Sequence, residues 1–172
     1  MSGSRDQRVG QHDGTPRAFI SIGSNLGDRL RYLSDAVESL PDVVAVSPVY
    51  ETDPVGGPDQ GAFLNIVVEL RTNIAPNDLL GLCHRIEMAA HRVREVRWGP
   101  RTVDLDIIWI DGVQLDSERL TIPHPRWRSR RFVLAPLRDL APDLVAEEDL
   151  ISAEGRVTRL GDLAELAVSG GD

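Results

Sequence analysis

Two aspartates stand one residue apart in residues 102–110, TVDLDIIWI, and the chain enters that segment through RVREVRWGPR, residues 92–101. Residues 102–110 have the apolar, β-branched make-up of a strand. Alternation then turns Asp104 and Asp106 to one face and Val103, Leu105 and Ile107 to the other, toward a core. The two carboxylates sit about 7 Å apart at the backbone, near enough to repel. Hard divalent cations remove the conflict, because Mg²⁺ is held by one or two carboxylates together with substrate phosphates and water. Two such ions make a phosphoryl-transfer site. Arg92, Arg94, Arg97 and Arg101 supply the complementary charge, guanidinium groups that neutralise what develops on a transferring phosphorus. Gly99-Pro100 fixes the corner between them, and the loop as a whole could close over a polyphosphate. Taken singly, the aspartates also fit the wet face of an ordinary strand, and the arginines a charged helix end. Their conjunction argues for chemistry.

Two further groupings extend the pattern. His124 lies between two prolines in TIPHPRW, among Arg119, Arg126, Arg128 and Arg130, a setting suited to phosphate. Phe63 and Asn65 alternate on a strand-like run and so share a face. An aromatic surface beside an amide is what a flat heterocycle needs. No Ser-His-Asp set stands out.

Composition limits the alternatives. With 172 residues the chain is long enough for one domain with a real core. A formal net charge of −8 argues against a nucleic-acid binder or a membrane-surface protein. Ten of the 19 basic residues fall between Arg85 and Arg131 against seven acidic ones, so that district is about +3 in an acidic molecule. Such a chain is built for a small anionic ligand. All 19 basic residues are arginine, which excludes a P-loop or a kinase-fold lysine and leaves bidentate guanidinium binding. Cys83 is the single cysteine, so neither an intrachain disulfide nor a Cys-based zinc site is available. No run is long and apolar enough for a membrane span, and a cytoplasmic protein is expected. Residues 1–16 read as a disordered leader and 17–172 as a single domain.

The elements that must position these residues follow from periodicity. Strands are expected over residues 17–22, 43–50 and 62–71, with Pro48 marking an edge or bulge in the second. The fourth is 102–110. A helix capped by Asp28 carries Leu30, Leu33, Val37 and Leu40 on one face, and a second covers 75–90 with Pro76 in its first turn. The order β-α-β-β-α-β implies an α+β, ferredoxin-like sandwich, a mostly antiparallel sheet with helices packed on it. A short helix near 133–140, a hairpin around Ala153-Glu154-Gly155 and a terminal helix over 157–167 complete the reading.

RWGPRTVDLDI resembles the signature of the 6-hydroxymethyl-7,8-dihydropterin pyrophosphokinases of folate synthesis. GSNLGDR, YETDPVGGPDQGAFLN, RIE before RVR, and LTIPHPRWRSRRFVLAPL fit the same family in the same order, so the resemblance covers roughly residues 17–145. It implies transfer of the β,γ-pyrophosphoryl group of ATP to the pterin hydroxymethyl, with release of AMP. By the resemblance Asp104 and Asp106 hold two Mg²⁺ ions, and Arg92 and Arg101 stabilise the transferring phosphates. Arg94, Trp98, Ile107, Arg119, Thr121, His124 and Arg130 match the ATP side. Phe63 and Phe132 match the aromatics that sandwich the pterin, and Thr52, Val55 and Asn65 its edge contacts. Dihydropteroate synthase is the implied functional neighbour. The pattern is broken at His91 and Glu95 and by an arginine loop one residue shorter. Other readings stay open on the residues alone: a different Mg-dependent phosphotransferase, separated by whether AMP or ADP forms, a ferredoxin-like RNA-binding module, and a pterin binder without activity.

Overall fold

Alternation along β1 (Arg17–Ser24) organises the molecule. Ala18, Ile20 and Ile22 face one apolar cluster and Phe19 faces a second, and all four are fully buried. A strand covered on both faces needs strand neighbours at its edges and a helical layer above and below. The computed structural model, which describes residues 13–53, 61–91 and 102–170, supplies both.

After β1 come α1 (Arg29–Ser39), β2 (Val43–Val46), β3 (Val49–Thr52), β4 (Phe63–Arg71) and α2 (Pro76–His91). Then follow β5 (Asp104–Ile110), the short pair β6 (Leu115–Asp116) and β7 (Thr121–Ile122), and α3 (Arg131–Leu140). The chain ends in α4 (Glu147–Ser152), β8 (Val157–Gly161) and α5 (Leu163–Ser169). The main sheet runs β5-β1-β4-β3-β8, with β2 also on β4, and its pairings are antiparallel. This is the expected α+β, ferredoxin-like order with one strand added at the β3 edge. α1 and α2 seal the first cluster through Leu33, Ala36, Leu79 and Cys83. α3 seals the second, packing Val133, Leu134 and Leu137 over Phe19, Val67 and Ile108. Asp28 caps α1 as expected, accepting the Arg31 N–H at 3.2 Å.

The expected second strand is two. Pro48 has no N–H to give the ladder, and Ser47 bridges the break: its N–H donates to the Val67 carbonyl and its Oγ accepts the Val67 N–H, both at 2.9 Å. The chain past residue 152 differs more. No hairpin forms around Glu154; instead its backbone bridges to Arg130 in parallel. Val157–Gly161, expected as the start of a helix, is strand β8 on β3, and only Leu163–Ser169 is helical. Helical apolar spacing there gave way to an open sheet edge that needed a partner. Of the expected leader, residues 1–12 lie outside the described residues, while the Pro16 carbonyl accepts the Thr72 N–H at 3.2 Å.

Candidate active site

Across the sheet, Gly23 pairs with Asp104 on one side and with Asn65 on the other, and Ser21 pairs with Asp106. The period of two puts these residues on the face that α3 covers. α3 covers only part of it, above Phe19, Val67 and Ile108. The rest is the floor of a cleft of about 590 Å³. Asp104 and Asp106 stand at its β5 side, Phe63, Asn65 and Thr52 at its β4–β3 side. Arg126, Ser129, Arg130 and Phe132 form a wall ahead of and at the start of α3.

The β4–β3 side of the cleft is built on one hydrogen bond. Asn65, 3% exposed, donates from Nδ2 to Thr52 Oγ1 at 2.9 Å. Its Oδ1 lies over Gly23, where any Cβ would sit only 2.7 Å from it. Glycine is therefore required by close approach rather than by its backbone angle. Phe63 and Phe132 are half-buried, and the Arg130 guanidinium lies 5.6 Å from the Phe132 ring centroid, within cation–π range.

The carboxylate end gathers negative charge from β5 and α2. Glu87 of α2 accepts the Leu105 N–H at 2.8 Å, pinning β5 between its two aspartates. Burial, and then the nearby charges of Asp104 and Asp106, push the Glu87 carboxyl above its ordinary range despite that bond. Burial, Glu87 and Asp106 likewise push the Cys83 thiol up to about 12. A dication is what such a field favours. Among the described residues no three acidic, His or Cys side chains are grouped as an all-protein metal cage. Two carboxylates on one strand face fit Mg²⁺, which takes its remaining oxygens from phosphate and water. His124 docks beside this end, its N–H donating to the Ile108 carbonyl at 2.9 Å. Its Nδ1 accepts the Arg126 N–H at 3.1 Å, which leaves the proton on Nε2. Burial lowers its pKa, and the charges of Arg130 and Arg126 add to this against the opposing charge of Asp106.

The cleft thus gathers Thr52, Phe63, Asn65, Asp104, Asp106, Arg130 and Phe132 from the residues singled out in the sequence. Arg119, Thr121 and His124 are not in its lining: Thr121 belongs to β7, Arg119 precedes it, and His124 follows it. Ile107 is 3% exposed with its side chain in the first core cluster and is not in the lining. Val55, Arg92, Arg94, Trp98 and Arg101 lie outside the described residues. Gly23 and Glu87 were missed as site residues. Glu87 had a signal: it falls one helical turn after Cys83, a carboxylate on the buried stripe of α2.

A family model described as 7,8-dihydro-6-hydroxymethylpterin-pyrophosphokinase (HPPK) matches residues 19–142. The chain belongs to that family. It is 48% identical over 142 residues to the 2-amino-4-hydroxy-6-hydroxymethyldihydropteridine pyrophosphokinase of Bacillus subtilis, covering 80% of this chain and 84% of that protein. The Pseudomonas aeruginosa protein of the same name is 49% identical over 133 residues, 74% of this chain and 82% of its own. A solved HPPK-DHPS structure in complex with substrates shares the fold at a TM-score of 0.57 and 14% identity, covering 80% of this chain and 43% of that one. The enzyme is an ATP-dependent pyrophosphokinase, and its reaction is pyrophosphoryl transfer from ATP to hydroxymethyldihydropterin in folate synthesis.

Proposed function

We propose a division of labour for that reaction along the cleft. Asp104 and Asp106 hold the two Mg²⁺ ions, and Arg92 and Arg101 stabilise the transferring phosphates. Arg94, Trp98, Ile107, Arg119, Thr121, His124 and Arg130 serve ATP, while Thr52, Val55, Phe63, Asn65 and Phe132 serve the pterin. The observation that carries this reading is the shared strand row, in which Asp104, Gly23 and Asn65 lie side by side on one floor. It sets a carboxylate pair suited to Mg-phosphate beside an amide and two aromatics suited to a flat heterocycle.

Phe63 and Phe132 bind the bicyclic ring by stacking, and Asn65, locked by Thr52, presents an oriented amide to its edge. Arg130, steadied over Phe132, puts positive charge where the phosphates approach the ring. His124, whose Nδ1 accepts the Arg126 N–H, presents Nε2 as a donor. The hydroxymethyl oxygen attacks the β-phosphorus of ATP, the bond to the α-bridging oxygen breaks, AMP leaves, and the hydroxyl proton goes to solvent. Bound with ATP, Mg²⁺ supplies charge neutralisation on the phosphates and activation of the hydroxyl. A cytoplasmic site of action fits the buried free thiol of Cys83. Among the described residues no helix is long and apolar enough to cross a membrane. Dihydropteroate synthase is the proposed functional neighbour.

Incubation with Mg-ATP and 6-hydroxymethyl-7,8-dihydropterin should give AMP only when the pterin is present; ADP, or AMP regardless of pterin, overturns the reading. Asp106→Ala should lower turnover at least a thousandfold, on the order of 4 kcal/mol of transition-state stabilisation, while pterin binding stays largely intact. Near-normal turnover of that variant at low Mg²⁺ would sink the metal assignment.

A further inference from the structure

The family match ends at residue 142, but the cleft does not. Glu154, Gly155 and Val157 line it as a further wall. Two sets of bonds hold this wall. On the backbone, the Glu154 N–H donates to the Ser129 carbonyl at 2.9 Å, and the Arg131 N–H donates to the Glu154 carbonyl at 3.1 Å. On the side-chain level, Arg131 spreads its guanidinium over three carbonyls: Leu150 at 3.3 Å, Ile151 at 3.1 Å and Gly155 at 2.6 Å. Leu150 and Ile151 lie in the last turn of α4, where carbonyls have no partner inside the helix. A forked cation satisfies them together, which a lysine could not do in one geometry. Arg131 is not itself in the lining, whereas its neighbours Arg130 and Phe132 are.

The far end of the wall is tied to the heterocycle end. Val157 pairs with Thr52 across β8 and β3, and Thr52 is the residue that locks the Asn65 amide. The short run from Glu154 to Val157 therefore connects the Arg130 wall with the Thr52–Asn65 pocket.

We propose that residues 154–157 form the specificity-determining wall of the pterin end, and that Arg131 is the positioning residue that holds it. The wall limits the size of the bicyclic ring and its substituents beside Thr52. This inference rests on the assignment of Thr52, Phe63 and Asn65 to the pterin.

The test uses the full chain. Val157→Phe places a ring in the cleft beside Thr52 while keeping strand preference. It should raise the KM and the Kd for 6-hydroxymethyl-7,8-dihydropterin about tenfold, with the KM for ATP within about twofold of wild type. Arg131→Gln should raise the pterin KM about fivefold with kcat retained at saturating pterin, and Arg131→Lys should recover only part of it. A merely structural role for Arg131 would lower the melting temperature and kcat and leave the pterin KM where it was. That result, or an unmoved pterin KM and Kd in Val157→Phe, overturns the proposal. Failure of the reaction assignment would show separately, in the wild-type protein, as no pterin-dependent AMP.

Discussion

At the scale of single residues the cleft is sensitive to one missing carbon. Gly23 carries no side chain because the Asn65 amide occupies the space, 2.7 Å from where a Cβ would be. Gly23→Ala should force Asn65 off Thr52, breaking a buried hydrogen bond worth about 1 kcal/mol and misaligning the pterin edge. The expected outcome is a pterin KM raised about tenfold with a modest loss of stability, measured by initial-rate kinetics and a thermal melt. An unchanged KM would mean that Asn65 does not orient the ring. The partners of this contact differ in how they can be read from sequence. Asp104 with Asp106, and Phe63 with Asn65, are visible as pairs because a strand repeats every two residues. Gly23 looks like any glycine near a turn. Its constraint comes from a side chain about 40 residues away, which periodicity does not encode.

At the scale of elements, the strand that carries Asp104 and Asp106 is an edge strand of the main sheet. An edge exposes N–H groups that need acceptors. Glu87 supplies one for Leu105, and so ties the last turns of α2 to the start of β5. Glu87→Ala leaves that half-buried N–H without its acceptor and should cost about 1–3 kcal/mol. Glu87→Gln keeps an acceptor oxygen and removes a charge next to Asp104 and Asp106. The alanine variant should therefore melt earlier and need more Mg²⁺ for half-maximal rate, whereas the glutamine variant should melt close to wild type. Melts paired with Mg²⁺ titrations of AMP formation decide it, and equal losses in both variants would refute a positioning role. The same scale shows why β8 was misread. Val157, Leu160, Leu163 and Leu166 keep a helical spacing, but β3 would otherwise be an open edge. Pairing overrode propensity, and the β-branched Val157-Thr158 start was the only local sign of it.

At the scale of the whole molecule, function and fastening lie at opposite ends of β1. Gly23, near its end, borders the cleft; Arg17, at its start, binds Asp111 and Asp143, each at 2.9 Å. The layered β-α-β-β-α-β order and a basic district within an acidic chain were legible, because both are properties of pattern and composition. This fastening was not, since it joins the first strand to turns 94 and 126 residues away. It carries a pH signature. Burial tends to raise the Asp111 carboxyl, but hydrogen bonds from Arg17 and Trp109 outweigh it and hold it below its ordinary value. The bond from Arg17 lowers Asp143 as well. Carboxylates depressed in the folded state stabilise it fully above their unfolded pKa of about 3.9, and the contribution disappears as pH falls through the lower folded values. Both groups are partly exposed, so solvent screens the gain and the pair is worth about 1 kcal/mol or less. Arg17→Gln should therefore lower the melting temperature by about 2–4 °C at pH 7. The gap should close below about pH 4 and narrow in high salt. Because the cleft lies at the other end of the strand, the pterin KM of this variant should match wild type. A gap that did not narrow as pH falls below about 4 would sink the ion-pair account, and a KM that moved with the melt would show that the two ends of the sheet are not independent.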